Sequence, residues 1–264
     1  MRAIACKILP PSVRRALRPW FRGGGGGQEA VPASYGYQVL GGGVSPELLR
    51  GWQNPVIAER QHAAFAPLLR QMYTGTPRED FLALASAVEM TGLADPLIIE
   101  VGCGSGWNFE VLTYLLNRPV RYIGVDYSSP MIALAGRSYP DAAFVVGDAA
   151  LLPFHDRACD ILLSGTVLMH LLDYEQAIRD SLRVTRNWCV FHTVPIMRHR
   201  PTTILSKCAY GQPILEIIFN EDELLSRFHE AGLFVRHVLD SLPYDLQSVL
   251  GEHTYTRTYV CEIV

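Results

Sequence analysis

Residues 97–106 read Leu-Ile-Ile-Glu-Val-Gly-Cys-Gly-Ser-Gly, a short apolar run that breaks into a turn with glycine at every second position. An apolar run of this length bounded by glycine predicts a buried strand, and the stretch after it has helical spacing. A strand, a glycine turn and a helix in that order form the opening unit of a doubly wound sheet. Backbone that lacks Cβ atoms can approach a ligand closely there, while free NH groups at the helix start face it. Further along, short apolar runs alternate with amphipathic stretches, as βαβ units require. Strands are expected at 97–101, 121–125, 142–146, 160–164, 188–193, 233–239 and 255–264. Helices are expected near 108–116, 129–137, 174–184 and 221–231, the last opened by an Asn220 cap with Glu223 three residues on. The expected fold class is therefore α/β, a doubly wound, mostly parallel sheet of seven strands.

Three sections organise the 264 residues. Residues 1–43 form a basic arm punctuated by prolines and by the glycine runs 23–27 and 41–43, which make flexible linkers. Residues 44–92 have helical spacing, as in Phe81, Leu84, Ala85 and Val88, and are expected to cap a site. Residues 93–264 supply the α/β core. With 49% hydrophobic and 19% charged residues, the chain has the composition of one packed domain. The net charge is −3, but Arg2, Lys7, Arg14, Arg15, Arg18 and Arg22 precede any acid, so the rest of the chain carries −9. An acidic body argues against nucleic acid as a partner. Val13, Leu17 and Trp20 lie at helical spacing opposite the arginines, which makes residues 1–22 a candidate for peripheral contact with an anionic membrane, beside the plainer reading of a solvated basic tail. The six cysteines include no C-x-x-C pair, and no apolar run reaches the about 20 residues of a membrane span. Residues 1–22 also lack the continuous apolar stretch of a signal peptide, and a cytoplasmic protein is expected.

Two further features stand in register with the glycine turn. Asp126 ends the second strand, where a carboxylate can accept both hydroxyls of a ribose. Gly147-Asp148-Ala149 ends the third, where an acceptor beside a free NH can read an adenine edge. Together they describe a nucleoside pocket. The motifs Glu100-x-Gly102-x-Gly104-x-Gly106, Gly124-Val125-Asp126-Tyr127-Ser128, Gly147-Asp148-Ala149 and Asp160-Ile161-Leu162-Leu163-Ser164 resemble those of class I S-adenosylmethionine-dependent methyltransferases, most closely the small-molecule subgroup called type 11. The resemblance implies that Glu100 and the loop Gly102, Cys103, Gly104 and Gly106 hold the methionine end of S-adenosylmethionine. It implies that Asp126 binds the ribose with Tyr127 and Met131 beside the adenine, that Asp148 and Ala149 read the adenine, and that Ser164 and Gly165 line the sulfonium.

His170, just past the fourth strand, is the candidate catalytic residue, as a general base or as a residue that shapes the pocket. His192 and His155 are weaker candidates. Trp52 and Tyr210 are candidate acceptor-pocket aromatics, Arg70 and Tyr73 candidate cofactor contacts, and 202–210 a candidate lid. No Asn-Pro-Pro-aromatic motif follows the fourth strand, which disfavours adenine-N6 and glutamine targets, and Thr185-Arg186-Asn187-Trp188 replaces the Pro-Gly-Gly turn of the family. No carboxylate or His/Cys cluster suggests a metal. The preferred acceptor is a small molecule with an oxygen nucleophile: a sugar, a lipid-linked intermediate or a metabolite. A cofactor-binding scaffold without catalysis and a nicotinamide-dependent oxidoreductase stand as alternatives, the latter opposed by G-x-G-x-G where its fingerprint has G-x-G-x-x-G. The acceptor's identity and the oligomeric state are not written in any motif.

Overall fold

The computed structural model of the protein describes residues 34–264. The amphipathic stretch 13–20 and the glycine run 23–27 lie outside the described residues. Ser34–Val39, within the expected arm, forms strand β1.

Strand β2 (Leu97–Val101) pairs in parallel with β3 (Arg121–Asp126) on one side and β5 (Cys159–Gly165) on the other. Strand β4 (Ala143–Val146) lies beyond β3 and β6 (Thr185–Met197) beyond β5, again in parallel. Strand β10 (Tyr255–Ile263) runs antiparallel between β6 and β9 (Leu233–Asp240). The order β4-β3-β2-β5-β6-β10-β9 changes its direction of travel between β2 and β5, and in such sheets ligands bind outside the carboxyl ends of the strands at this switch point.

Alternation along the strands explains why their sequences are apolar throughout. Ile98, Ile161, Leu163, Val190 and Val260 pack on one face with Phe81, Leu84 and Val88 of α3 (Glu79–Met90). Their neighbours Ile99, Leu162, Cys189, Phe191 and Cys261 pack on the other with Ile178 of α6 (Tyr174–Val184) and Phe228 of α7 (Glu221–Ala231). Both faces are covered, so neither has polar positions to spare. The Asn220 side chain caps α7 by accepting from the Glu223 NH at 3.1 Å.

All seven expected strands are present, but the sheet has ten. Strands β7 (Thr203–Ala209) and β8 (Gln212–Asn220) form an antiparallel hairpin, β1 pairs with β7, and β8 joins the far end of β6 at Ile196 and Met197. The stretch expected as a lid is thus mostly β7, one strand of a rigid extension. Strand β6 reaches that far because it has 13 residues, and α6 passes into it at Thr185 with no intervening turn. The 44–92 section also divides. Helices α1 (Pro46–Arg50) and α2 (Pro55–Tyr73) precede α3, whose apolar side packs on the sheet. Helix α2 is tied to α4 (Trp107–Leu115) by Phe65 stacked on Trp107, ring centroids 3.9 Å apart.

Candidate active site

The carboxyl ends of β2 to β5, the inner side of α2 and the β7–β8 hairpin enclose one cavity of about 770 Å³. That is the size range of small-molecule and cofactor sites. The glycine turn forms part of its floor. Gly102, Gly104 and Gly106 all have positive φ, at +71°, +54° and +86°. A Cβ on Gly102 would come within 2.3 Å of Val167, and one on Gly104 within 2.8 Å of the Trp107 ring, so only glycine fits. At the end of β5 the constraint is tighter, since a Cβ on Gly165 would come 1.9 Å from a Glu100 carboxylate oxygen.

Asp126 closes the neighbouring side. Its carboxylate accepts from the Gly104 NH and the Ser128 NH, each at 2.9 Å, and burial raises it to about 6. Tyr127, Met131, Asp148 and Ala149 line the same end. Four of the residues that the family resemblance assigned to the cofactor lie off the cavity wall: Glu100, Cys103, Gly106 and Ser164. Glu100 is fully buried and committed, accepting from the Asn108 amide at 2.6 Å and from the Tyr122 hydroxyl, and desolvation lifts it to about 7. Cys103 is buried and close to Gly124, and burial pushes its thiol up.

His170 also lines the cavity. Its Nδ1 lies 2.7 Å from the Leu215 carbonyl, which can only accept, so Nδ1 carries the proton and Nε2 the lone pair. Burial first, then the Lys207 charge, lowers this histidine to about 4 and keeps the ring neutral. Trp52 lies against it, ring centroids 5.0 Å apart, and Tyr210 lies beyond Trp52. The Trp52 Nε1 is buried with no hydrogen-bond partner. His192 also reaches the wall, but both its ring nitrogens are engaged, with the Thr258 and Thr193 hydroxyls at 2.9 and 3.1 Å. His155, Arg70 and Tyr73 are not on it; the Tyr73 hydroxyl donates to Glu110 at 2.5 Å.

Several wall residues escaped the sequence reading. Lys207 and Glu216 form a buried ion pair on the inner face of the hairpin, with the Lys207 ammonium 5.5 Å from the Tyr37 ring centroid and the Tyr244 hydroxyl donating to Glu216 at 2.8 Å. Their signal was a charge inside an alternating apolar pattern, Leu205, Lys207 and Ala209 facing Ile214, Glu216 and Ile218. Gln61 breaks the apolar side of α2 in the same way. Among the described residues five non-glycine residues have positive φ, and three of them, Thr166, Thr193 and Tyr210, line the cavity. Such strain persists where surrounding structure enforces it, and it gathers at functional sites.

The fold is thus of the doubly wound class, with a cavity at the carboxyl ends of its parallel strands. Residues 99–191 match the family model for the methyltransferase domain. A probable S-adenosylmethionine-dependent methyltransferase of Mycolicibacterium smegmatis is 31% identical over 148 residues, covering 52% of this chain and 56% of that one. A demethylmenaquinone methyltransferase of Roseiflexus castenholzii is 29% identical over 156 residues, covering 57% and 51%. The chain spans about half the length of the curated relatives it matches. Among solved structures, the 1,6-didemethyltoxoflavin N1-methyltransferase of Burkholderia thailandensis, with 1,6-didemethyltoxoflavin and S-adenosylhomocysteine bound, superposes with a TM-score of 0.57 at 13% identity, over 86% of this chain and 95% of that one. The [4+2]-cyclase SpnF superposes at 0.54 with 17% identity, over 70% and 81%, so the shared fold does not fix the reaction. Over residues 99–191 the chain is thus similar to class I methyltransferase domains of type 11, a class whose cofactor is S-adenosylmethionine.

The residues present fit this cofactor. The Asp126 and Asp148 carboxylates line the cavity where they would accept from ribose hydroxyls and the adenine amine, and the space over Gly104 is kept clear by the lack of a Cβ. Beside that space the Gln61 Oε1 is a buried acceptor without a donor.

Proposed function

We propose that the protein transfers a methyl group from S-adenosylmethionine to an oxygen of a small, largely apolar acceptor. The observation that carries this reading is the pairing, in one cavity wall, of an unpartnered donor, Trp52 Nε1, with a neutral histidine whose Nε2 is an acceptor. A hydroxyl group is the acceptor function that satisfies both, since it accepts one hydrogen bond and donates one.

The bound cofactor supplies a methyl group on a sulfonium, open to in-line displacement. The chain's own contribution is alignment and exclusion of water. The indole NH holds the acceptor oxygen, and rings and aliphatic side chains such as Trp52, Tyr210, Leu49 and Leu68 exclude solvent. His170 takes the hydroxyl proton on Nε2. With a pKa near 4 it is a weak base toward a free alcohol. It suffices once the oxygen lone pair is committed to the new bond, because the proton then becomes strongly acidic. The Lys207–Glu216 pair keeps the far end of the wall polar but neutral, which suits an uncharged acceptor better than an anion.

Isothermal titration with S-adenosylhomocysteine, beside NADH and beside an Asp126→Ala variant, tests the reading. Micromolar binding of the first ligand that is lost in the variant is the expected result. Binding of NADH without binding of the adenosyl ligand would refute the assignment.

A further inference from the structure

The cap helix brings an unpartnered acceptor to the glycine turn. Gln61 is only 9% exposed, on the inner side of α2, and its Oε1 has no donor. It stands 3.2 Å from the position a Cβ on Gly104 would take, directly beside the glycine turn. The next residue, His62, hydrogen-bonds through Nδ1 to the Ser105 hydroxyl at 3.0 Å, so one turn of α2 rests on two successive residues of that turn. A buried acceptor left unpaired is costly, and this one lines the cavity in which the cofactor is proposed to bind.

S-adenosylmethionine has three kinds of hydrogen-bond donor: the adenine amine, the ribose hydroxyls and the α-ammonium. The first two have carboxylate partners in Asp148 and Asp126. The α-ammonium is the donor left over, and Gln61 Oε1 is the acceptor left over, on the glycine side of Asp126, whose carboxylate already reaches the Gly104 NH. We propose that Gln61 accepts a hydrogen bond from the α-ammonium of the cofactor's amino-acid end and so selects ligands that carry that end, fastening α2 over the glycine turn as they bind. The proposal rests on the methyl-donor reading above.

The test compares two probes that share adenine, ribose and sulfur: S-adenosylhomocysteine, which has the amino-acid end, and 5′-methylthioadenosine, which lacks it. Both are titrated into the wild-type chain and into Gln61→Leu and Gln61→Glu variants, with thermal unfolding of each ligand-free protein recorded alongside. The leucine variant should bind S-adenosylhomocysteine at least about tenfold more weakly, the loss expected of a hydrogen bond to a charged group. Its affinity for 5′-methylthioadenosine should not change, and its ligand-free unfolding temperature should hold or rise, because an unpaired buried oxygen has been removed. The glutamate variant should keep S-adenosylhomocysteine binding. Equal losses for both probes, no loss for either, or a leucine variant too unstable to bind would each overturn the proposal and make Gln61 a structural residue. A wild-type chain that binds neither probe would instead reject the methyl-donor reading.

Discussion

Glu100 stores a pH-dependent cost that a single atom exchange should remove. The side chain is fully buried under Gly165, and desolvation raises it to about 7, against the stabilising donation from Tyr122 and Asn108. An unfolded glutamate titrates near 4.5. Between those values the folded chain holds a proton that the unfolded chain has released. Stability from this group is therefore full below about pH 4.5 and falls as the pH rises toward 7. Lifting the carboxyl from 4.5 to about 7 amounts to roughly 3–4 kcal/mol once both states have titrated. Glutamine at this position is neutral at every pH. Its Oε1 can accept from Asn108 and its Nε2 can donate to the Tyr122 oxygen, so both partners stay paired. The Glu100→Gln variant should gain on the wild type steadily from pH 5 to pH 8, approaching about 3 kcal/mol, or roughly 5–10 °C in Tm for a chain of this size. Urea unfolding of both proteins at several pH values measures the difference. Asp126, raised in the same direction, contributes a slope common to both and cancels. Wild-type and variant curves that run parallel would refute the reasoning, and would mean that Glu100 is ionised in the folded state at no cost.

Replacing His170 by Asn should lower turnover at least about tenfold once an acceptor is in hand, the lower end of what a general base supplies. The wild-type and variant pH profiles should keep the same shape between pH 6 and 8, because the histidine is neutral throughout that range; an acid limb near 6.5 lost in the variant would contradict this. Lys207→Met alone leaves Glu216 buried without its cation and should cost on the order of 3–5 kcal/mol in chemical unfolding. The Lys207→Met/Glu216→Gln double variant should recover most of it, and failure to recover would show that the pair is not coupled.

What could be read ahead of the structure was the part of the chain where one local rule has one outcome. An apolar run flanked by glycine and followed by a helical pattern gave β2, the turn and α4 almost to the residue, and the end of β3 placed Asp126. The misplaced residues show the limit of that logic. Glu100 alternates correctly for a buried strand, but nothing in alternation says whether a buried carboxylate points at a ligand or at Asn108 and Tyr122. The 203–220 hairpin was hidden because 202–210 was read as a candidate lid. Its alternation was visible, and the two charges on its apolar face were the one clue to a function. Gln61 was obscured similarly, since a single polar residue on a helix's inner side looks like tolerance until a cavity is found beneath it.

These two kinds of residue also divide along the chain. The cofactor half is built by the ends of β2 to β5, which lie inside the matched segment 99–191. The proposed acceptor wall draws on β1, Trp52, α2 and the hairpin, all outside that segment, together with His170 and its neighbours from within it. The hairpin joins the sheet at the far end of β6, and α2 meets it through contacts such as Phe65 on Trp107. The family match over 99–191 therefore bears on the proposed cofactor side, and the proposed acceptor side is read from Trp52, His170, Lys207 and Glu216. Gln61 stands at the boundary between the halves, a cap residue facing the cofactor loop, where acceptor-side structure and cofactor binding can influence each other.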